Sequence, residues 1–187
     1  MVQGQKPGAE IADDWVLLRN AREGDEKAWK ALFESHSPRL LRLALMMTGS
    51  ADAARDCVQE SFVRLLHAEI SHHEGSVRTY LSTIVYRSAV KENLRRNKLE
   101  EGPPECAGSP DPTPFDLTVR REQEREIIRA IQLLTPSQRD ILVLRFYGEF
   151  GYEEIAAMTG VALGTVKSRI FYAVKTVRTI LQSRGVV

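Results

Sequence analysis

Residues 152–170 read YEEIAAMTGVALGTVKSRI, and their spacing is that of two short helices joined by a tight turn. Ala156 is small enough for a second helix to cross closely above it, and Gly160 can take the positive φ of a tight turn. Val166 and Ile170 are four residues apart, so they share the face of the second helix that would meet the core. This stretch predicts a helix-turn-helix.

The second helix of this motif is basic. No acid occurs from Gly164 to Val187, where five bases stand. With Val166 and Ile170 inward, the residues left for solvent or DNA are Thr165, Lys167, Ser168, Arg169, Tyr172 and Lys175. A recognition helix reads base edges in the major groove with its N-terminal residues, and arginine and lysine suit guanine. A solvated face on an ordinary helical bundle is the alternative, but the surrounding pattern favours DNA.

Three further signals predict helix ends. In the stretch TPSQ, Thr135 is predicted to cap a helix, with Pro136 at its first position and Gln138 completing a capping box. Ser37-Pro38 is predicted to open another helix in the same way. Gly49-Ser50 is predicted to end that helix and cap the next one.

The whole chain of 187 residues is predicted to be all-α, because apolar residues recur at three and four and strand-like alternation is absent. Five of the eight prolines fall between Glu101 and Leu117, a density that favours extended backbone. We therefore predict two small helical domains, residues 1–96 and 118–187, joined by an extended linker at 97–117. Such a linker reaches at most roughly 65 to 70 Å.

Charge is distributed in blocks. Residues 78–98 hold six bases and one acid, whereas residues 99–117 hold five acids and no base. Although the net charge is only +1, the chain therefore contains two basic segments, residues 78–98 and 164–187, and an acidic linker between them. Such blocks predict separate surfaces for separate partners.

Several classes of protein are not favoured. A composition of 43% hydrophobic and 27% charged residues is globular, and no apolar run approaches the roughly 18 to 20 residues that span a bilayer. The N-terminus does not look like an export signal, and Cys57 and Cys106 lack metal-type or redox-type spacing. We therefore expect a cytoplasmic protein.

Catalysis is not expected either. His67, His72 and His73 lie near Glu69 and Glu74, but a second ligand pair at fixed spacing is lacking, so no metal is predicted. A metal-dependent enzyme built around these histidines is the alternative from another class. No glycine-rich phosphate cradle and no nucleophile–base arrangement is evident. The sequence therefore predicts no enzyme activity, no cofactor and no small-molecule substrate.

The helix-turn-helix closely resembles region 4 of bacterial RNA polymerase sigma factors of the extracytoplasmic-function (ECF) group. Two further stretches, ADAARDCVQESFVRLLH at 51–67 and VRTYLSTIVYRSAVKENLRRNK at 77–98, resemble region 2 of the same family. The likeness runs in family order from about Asp13 to Leu181. It implies a sigma factor that directs core RNA polymerase to promoters and assists their opening. A polymerase-independent helix-turn-helix regulator is the alternative, which leaves the N-terminal resemblance unexplained.

The resemblance also implies partners and site residues. Core RNA polymerase would be bound through its β′ clamp coiled coil and its β subunit, and the linker would run toward the RNA exit path. An anti-sigma factor is expected, as for many family members. The residues implied in polymerase binding are Asp56, Gln59, Glu60 and Arg64. Those implied at the −35 element are Thr165, Lys167, Ser168, Arg169, Phe171, Tyr172 and Lys175. Those implied at the −10 element, including the loop that receives a flipped base, are His72, His73, Glu74, Gly75, Ser76, Val77, Arg78, Tyr80, Arg87, Lys91, Arg95 and Arg96.

The chain departs from the family pattern at a few of these positions. Tyr80 stands where tryptophan is usual, and Arg87 where asparagine is common. Tyr172 and Val174 replace residues that are often basic. These changes leave the class intact and bear on which promoter bases are read.

Overall fold

The computed structural model describes residues 7–68, 76–99 and 120–186, and every regular element within those ranges is an α-helix. The prediction of an all-α fold is confirmed. The helices are α1 (Pro7–Arg22), α2 (Glu26–Thr48), α3 (Ala51–His67), α4 (Val77–Leu99), α5 (Arg120–Gln132), α6 (Pro136–Phe146), α7 (Tyr152–Thr159) and α8 (Leu163–Ser183). None of these helices is both long and apolar enough to cross a membrane.

Helices α1 to α4 pack around one apolar centre. Phe62 of α3 is 2% exposed, and its ring meets the edge of Trp29 at 5.6 Å and the tilted ring of Phe33 at 4.8 Å between centroids. Leu43 of α2 and Leu81 of α4 are fully buried in the same cluster. Burying an apolar side chain of this size contributes roughly 1.5 to 3 kcal/mol, so this centre holds the N-terminal half together.

The predicted helix start at Ser37-Pro38 is wrong, because α2 runs through Pro38 without a break. The helix begins instead at Glu26 and is capped by Asp25, whose carboxylate accepts hydrogen bonds from the backbone N–H groups of Lys27 and Ala28. A proline inside a helix costs about 3 kcal/mol. Buried leucines stand on the same side of α2 before and after Pro38, and their packing offsets that cost. The predicted boundary at Gly49-Ser50 is confirmed, since α2 ends there and Ser50 caps α3.

The predicted helix-turn-helix is confirmed in α7 and α8. Gly160 has φ of +70°, and its N–H donates to the carbonyl of Ala156 at 2.9 Å, which closes the turn. Val166 is fully buried and Ile170 is 8% exposed, in a second cluster that also holds Phe150 of the α6–α7 loop. The second helix is therefore fixed on the core by the predicted pair.

The predicted capping box at Thr135 is wrong in its chemistry. Thr135 does precede α6 and Pro136 does begin it, but the Thr135 side chain makes no hydrogen bond to the helix backbone. Its hydroxyl donates instead to the side-chain oxygen of Gln138 at 3.0 Å. The Gln138 N–H already bonds the backbone carbonyl of Thr135 at 3.0 Å, so the expected partner is taken.

The two halves of the chain share one hydrophobic cluster. Ile131 of α5, Leu142 and Val143 of α6 and Ala173 of α8 are buried in the same cluster as the core of α1 to α4. Polar contacts cross the same boundary, since the Gln132 side-chain amide donates to the carbonyl of Met46 at 2.8 Å. Most of the predicted linker at 97–117 lies outside the described residues, so the domain boundaries remain a prediction. What the structure adds is a docked arrangement of the helices on either side.

Candidate nucleic-acid and polymerase interfaces

Helix α8 presents opposite faces to the core and to solvent. Ala173 is fully buried, as is Val166, and Leu181 is 8% exposed, so one side of the helix is covered along its length. Of the residues predicted for the −35 element, Lys167, Ser168, Phe171, Tyr172 and Lys175 are exposed, whereas Thr165 and Arg169 are half-buried. The structure thus brings all seven onto one helix, with the last two at the edge of its outward face.

The start of α8 is open to an anion. Ala162 precedes the helix, and no side chain caps the free N–H groups of its first turn. These groups and the helix dipole give the N-terminus a partial positive charge. A methyl group added at Gly164 would meet nothing within 4 Å, so the backbone there is uncovered. The first turn of α8 can therefore approach a phosphate group closely.

An aromatic contact orders part of this face. The Lys167 ammonium lies 6.0 Å from the centroid of the Tyr152 ring, and the Arg145 guanidinium lies 5.0 Å from the same centroid. Cation–π contacts at exposed sites contribute about 0.5 to 1 kcal/mol. Two cationic side chains, Arg145 and Lys167, therefore lie over one aromatic ring beside the start of α8. Of these two, the sequence predicted only Lys167 as a site residue.

Helix α4 divides the residues predicted for the −10 element between two faces. Arg87, Lys91 and Arg95 are four residues apart and exposed, so they form one basic stripe. Arg95 is paired with Glu92 through two hydrogen bonds of 2.8 Å, and this contact lowers the pKa of Glu92. Three of the predicted residues are thus brought together on an accessible surface.

The other α4 residues point elsewhere. Arg78 pairs with Glu149 of the α6–α7 loop at 3.4 Å, and Arg96 donates to the carbonyl of Thr48 at 3.1 Å. The Val77 side chain is fully buried, so only its backbone is available to a partner. Tyr80 is half-buried against the main core, and Ser76 accepts a hydrogen bond from the N–H of Thr79 at the start of the helix. His72, His73, Glu74 and Gly75 lie outside the described residues.

Helix α3 carries the residues predicted to bind polymerase. Asp56, Gln59 and Arg64 are exposed, and Glu60 is half-buried. The Glu60 carboxylate accepts hydrogen bonds from the Ser88 hydroxyl of α4 and from the Arg64 guanidinium. Both contacts lower its pKa, with Ser88 the larger cause. Glu60 therefore joins α3 to α4 as well as lying on the outer surface.

An open cleft of about 630 Å³ is lined by residues of the packed helices α3 and α4. Asp56 and Glu60 line one wall, and Lys91 and Arg95 line the other, so candidates for polymerase and for DNA face the same space. Cys57 also lines the cleft, and burial raises the pKa of its thiol to about 11. That thiol is protonated at neutral pH and therefore a poor nucleophile or metal ligand. Within the described ranges, no three His, Cys, Asp or Glu side chains group as a metal site.

Sequence analysis missed the α6–α7 loop. Glu149 is the one non-glycine residue described with positive φ, at +56°. A Cβ at Gly148 would lie 2.6 Å from the carbonyl of Leu144 and from the Phe150 ring, so only glycine fits there. Phe150 is 3% exposed and fixes the loop on the second cluster. The flanking glycines of GEFG were the only signal of this turn.

A second missed contact lies between α4 and α6. The Tyr86 hydroxyl lies close to the Asp140 carboxyl group, and burial together with that carboxylate raises the pKa of Tyr86 to about 12. Burial raises the pKa of Asp140 to about 6, against the opposing effects of Arg139 and Tyr86. No local pattern links residues so far apart in the chain.

Two family matches cover most of the chain. Residues 32–100 match Sigma-70 region 2, and residues 124–177 match Sigma-70, region 4. The ECF RNA polymerase sigma factor RpoE of Cereibacter sphaeroides is 32% identical over 88% of this chain and 93% of its own. The ECF RNA polymerase sigma factor SigL of Mycobacterium tuberculosis is 32% identical over 90% and 97%, respectively.

Solved structures share the fold. CnrH, solved in complex with the cytosolic domain of CnrY, superposes with a TM-score of 0.63 at 22% identity, over 91% of this chain and 98% of that one. The sigma factor RpoE of Bartonella quintana, solved with the anti-sigma factor NepR, gives 0.60 at 23% identity, over 83% and 98%. The sequence matches, the all-α fold and the helix-turn-helix formed by α7 and α8 all indicate the same family. The chain belongs to the ECF RNA polymerase sigma factors, which direct core RNA polymerase to promoters for transcription initiation.

Proposed function

We propose that this sigma factor reads the −35 element with the outward face of α8. The observation that carries the proposal is the division of α8 into a buried side and a side bearing Lys167, Ser168 and Tyr172 beside an open helix start. A helix of this kind fits the major groove of B-form DNA and presents its N-terminal residues to base edges. Arg169, Lys175 and Thr165 then contact phosphates or bases at the edge of the groove, and Phe171 supplies apolar contact.

The −10 element is assigned to α4 and the loop before it. The exposed stripe of Arg87, Lys91 and Arg95 supports this, since phosphate contacts position nucleic acid. Residues 71–77 form the loop that receives a base flipped from the duplex, and Arg78, Tyr80 and Arg96 complete the surface once their present contacts open. Extracting a base costs a few kcal/mol, which contacts on the captured base offset.

Helix α3 is the proposed contact with polymerase. Asp56, Gln59 and Arg64 offer an exposed polar surface, and Glu60 joins it to α4. Binding of this surface to the β′ clamp coiled coil would place the neighbouring α4 stripe close to the opened strand. Further contact with the β subunit follows from the resemblance of the C-terminal half to region 4.

An anti-sigma factor is the proposed regulator. The two structures of similar fold were each solved with a second protein, the cytosolic domain of CnrY and the anti-sigma factor NepR. We also propose that the protein acts in the cytoplasm, where core polymerase is found. The chain performs no reaction of its own, because nucleotidyl transfer belongs to polymerase.

Reconstitution tests this function. The purified chain is added to core RNA polymerase and transcribes a genomic DNA library, with mapping of the start sites. We expect a set of starts that share two upstream elements and that vanish when the chain is omitted. A chain that bound DNA and regulated transcription without joining core polymerase would instead support the polymerase-independent regulator.

A further inference from the structure

Both oxygens of one carboxylate on α3 are held by hydrogen bonds. The Ser88 hydroxyl of α4 donates to Oε2 of Glu60, and the Arg64 guanidinium of α3 donates to Oε1. The Glu60 side chain is nevertheless 41% exposed. Each carboxylate oxygen has two acceptor sites, so one site on each oxygen is left for a further donor. Glu60 is thus held in one orientation and remains accessible to a partner.

Ser88 is the more firmly fixed of the two donors. It is 9% exposed and lies on α4 where that helix packs against α3. The Arg64 side chain is 53% exposed, and its pairing with Glu60 is an i, i+4 contact on a helix surface, a kind that is weak and screened by salt. Of the groups that lower the pKa of Glu60, Ser88 has the largest effect. The orientation of Glu60 therefore depends on Ser88 more than on Arg64.

Lys91 is a competing partner for the same carboxylate. It lies on α4 three residues after Ser88, lines the same cleft, and its charge also lowers the pKa of Glu60. A carboxylate released from Ser88 would be attracted toward this ammonium group. Lys91 belongs to the exposed stripe assigned above to the −10 element. The Ser88 hydroxyl thus directs Glu60 without drawing on a base of that stripe.

The position of Glu60 on α3 gives this orientation a use. Asp56, Glu60 and Arg64 follow one another at intervals of four, so they form one row on the surface proposed to contact polymerase. Glutamate is among the side chains that lose most rotamer freedom when they are immobilised. An interface loses affinity when it must order such a side chain on binding. A carboxylate that is already ordered in the free protein avoids that loss.

We propose that Ser88 is a positioning residue for polymerase binding, which holds the Glu60 carboxylate in the orientation that an arginine or lysine side chain of core polymerase contacts. This proposal rests on the proposed function, because it deepens the role of the α3 surface. Ser88 itself does not touch polymerase, since it is covered by the packing of α3 against α4.

A double-mutant cycle tests the proposal in the full-length chain, with the Kd for core RNA polymerase measured in solution. Ser88→Ala is expected to raise the Kd about three- to tenfold, the usual effect of having to order one flexible side chain. In a Glu60→Ala background the same change is expected to have no effect, because the group that Ser88 orients is gone. An equal loss in both backgrounds, or no loss in either, would overturn the proposal.

Two further variants separate the hydroxyl from packing. Ser88→Thr retains the hydroxyl and is expected to keep the affinity close to that of the wild type. Thr83→Ala is the matched control, since it removes a half-buried hydroxyl of the same helix that donates only within α4, to the carbonyl of Thr79. It is expected to leave the Kd unchanged.

A titration of the Glu60 carboxyl carbon by NMR in the free chain gives a second readout. Ser88→Ala is expected to raise the pKa of Glu60, because the lost hydroxyl donates to the ionised form. Thr83→Ala should not change that pKa. The same value in Ser88→Ala and in the wild type would show that Ser88 does not hold this carboxylate. The other ionisable groups that line the cleft, present in both proteins, are Asp52, Asp56, Cys57, Lys91, Glu92, Arg95 and Arg96.

The same measurements distinguish this proposal from the proposed function. If the wild-type chain binds core polymerase and Asp56→Ala with Gln59→Ala weakens the complex while Ser88→Ala does not, the positioning role is wrong and the α3 contact stands. If the wild-type chain does not bind core polymerase at all, the proposed function itself fails.

Discussion

The Asp140 carboxyl group of α6 lies close to the Tyr86 hydroxyl of α4, across the boundary between the two halves of the molecule, and each group affects the pKa of the other. It lies beside the boundary at which α5 and α6 pack against α2. Burial raises the pKa of Asp140 to about 6, from an ordinary value of 3.8. A proton therefore binds more tightly at this boundary when the halves are docked and folded.

The first prediction concerns pH. A carboxyl group whose pKa is raised by folding holds a proton that the unfolded chain has released, so its contribution to stability falls as pH rises from about 4 to 6. The loss is at most about 3 kcal/mol, at 1.36 kcal/mol per pKa unit. Asp140→Asn removes this contribution. Urea unfolding of both proteins across that range measures it, and the difference between them is expected to change with pH.

The comparison of the two proteins also provides the control. Glu60, Glu92 and Glu126 have lowered pKa values, so they act in the opposite direction, but they do so equally in the wild type and in Asp140→Asn. Parallel stability curves for the two proteins would show that Asp140 is not buried at this boundary.

The second prediction concerns the α6–α7 loop. Gly148→Ala places a Cβ 2.6 Å from the carbonyl of Leu144 and from the buried Phe150 ring, so something must shift. We expect a loss of about 1 to 3 kcal/mol in the free energy of unfolding, as for an overpacked core. Gly164→Ala is the matched control, since its Cβ would meet nothing within 4 Å and alanine favours the helix. Equal thermal midpoints for the two variants would contradict the close approach.

The third prediction concerns the −35 element. Arg169→Ala is expected to weaken promoter binding by about 1 to 3 kcal/mol, the usual contribution of one base contact. Arg178→Ala removes the same charge from the same helix about 13 Å further along, at 1.5 Å per residue. Transcription from a promoter with an intact −35 element is measured for both. Loss confined to Arg169→Ala supports the assignment, whereas equal output from both variants argues against it.

The fourth prediction concerns polymerase binding. Asp56→Ala combined with Gln59→Ala truncates two exposed side chains of α3, so the fold should be unaffected. We expect a weaker complex with core RNA polymerase, measured as the Kd in solution. Lys30→Ala, an exposed change on α2, is the control. Wild-type affinity of the double variant would remove α3 from the proposed contact.

Local patterns in the sequence predicted the elements well. The turn at Gly160 and the inward faces at Val166 and Ile170 depend only on helix period and on glycine's backbone freedom, and all were confirmed. The error at Pro38 arose because a local signal was overruled by packing on both sides of it. The residues next to Pro38 in the sequence do not show how much that packing stabilises an unbroken helix.

Contacts between the halves could not be predicted in the same way. Arg39 donates to the carbonyl of Tyr147, which is 108 residues away along the chain. Every residue has a backbone carbonyl, so the sequence does not show which carbonyl accepts a hydrogen bond from a given arginine. The salt bridge between Arg78 and Glu149 depends on a left-handed backbone conformation that glutamate rarely adopts. The predicted −10 residues were therefore placed on one surface by resemblance, whereas the structure divides those of them that it describes between an open stripe and a covered side.

Directed DNA cleavage tests most directly whether α8 and α4 read different promoter elements. A cutting reagent is attached at Val174→Cys on α8 or at Leu94→Cys beside the α4 stripe, both exposed positions, in a Cys106→Ser background where the remaining thiol, Cys57, is buried. With core polymerase and a mapped promoter, we predict cleavage near −35 from the first position and near −10 from the second. Cleavage of both at one element, or at no preferred position, would contradict the account.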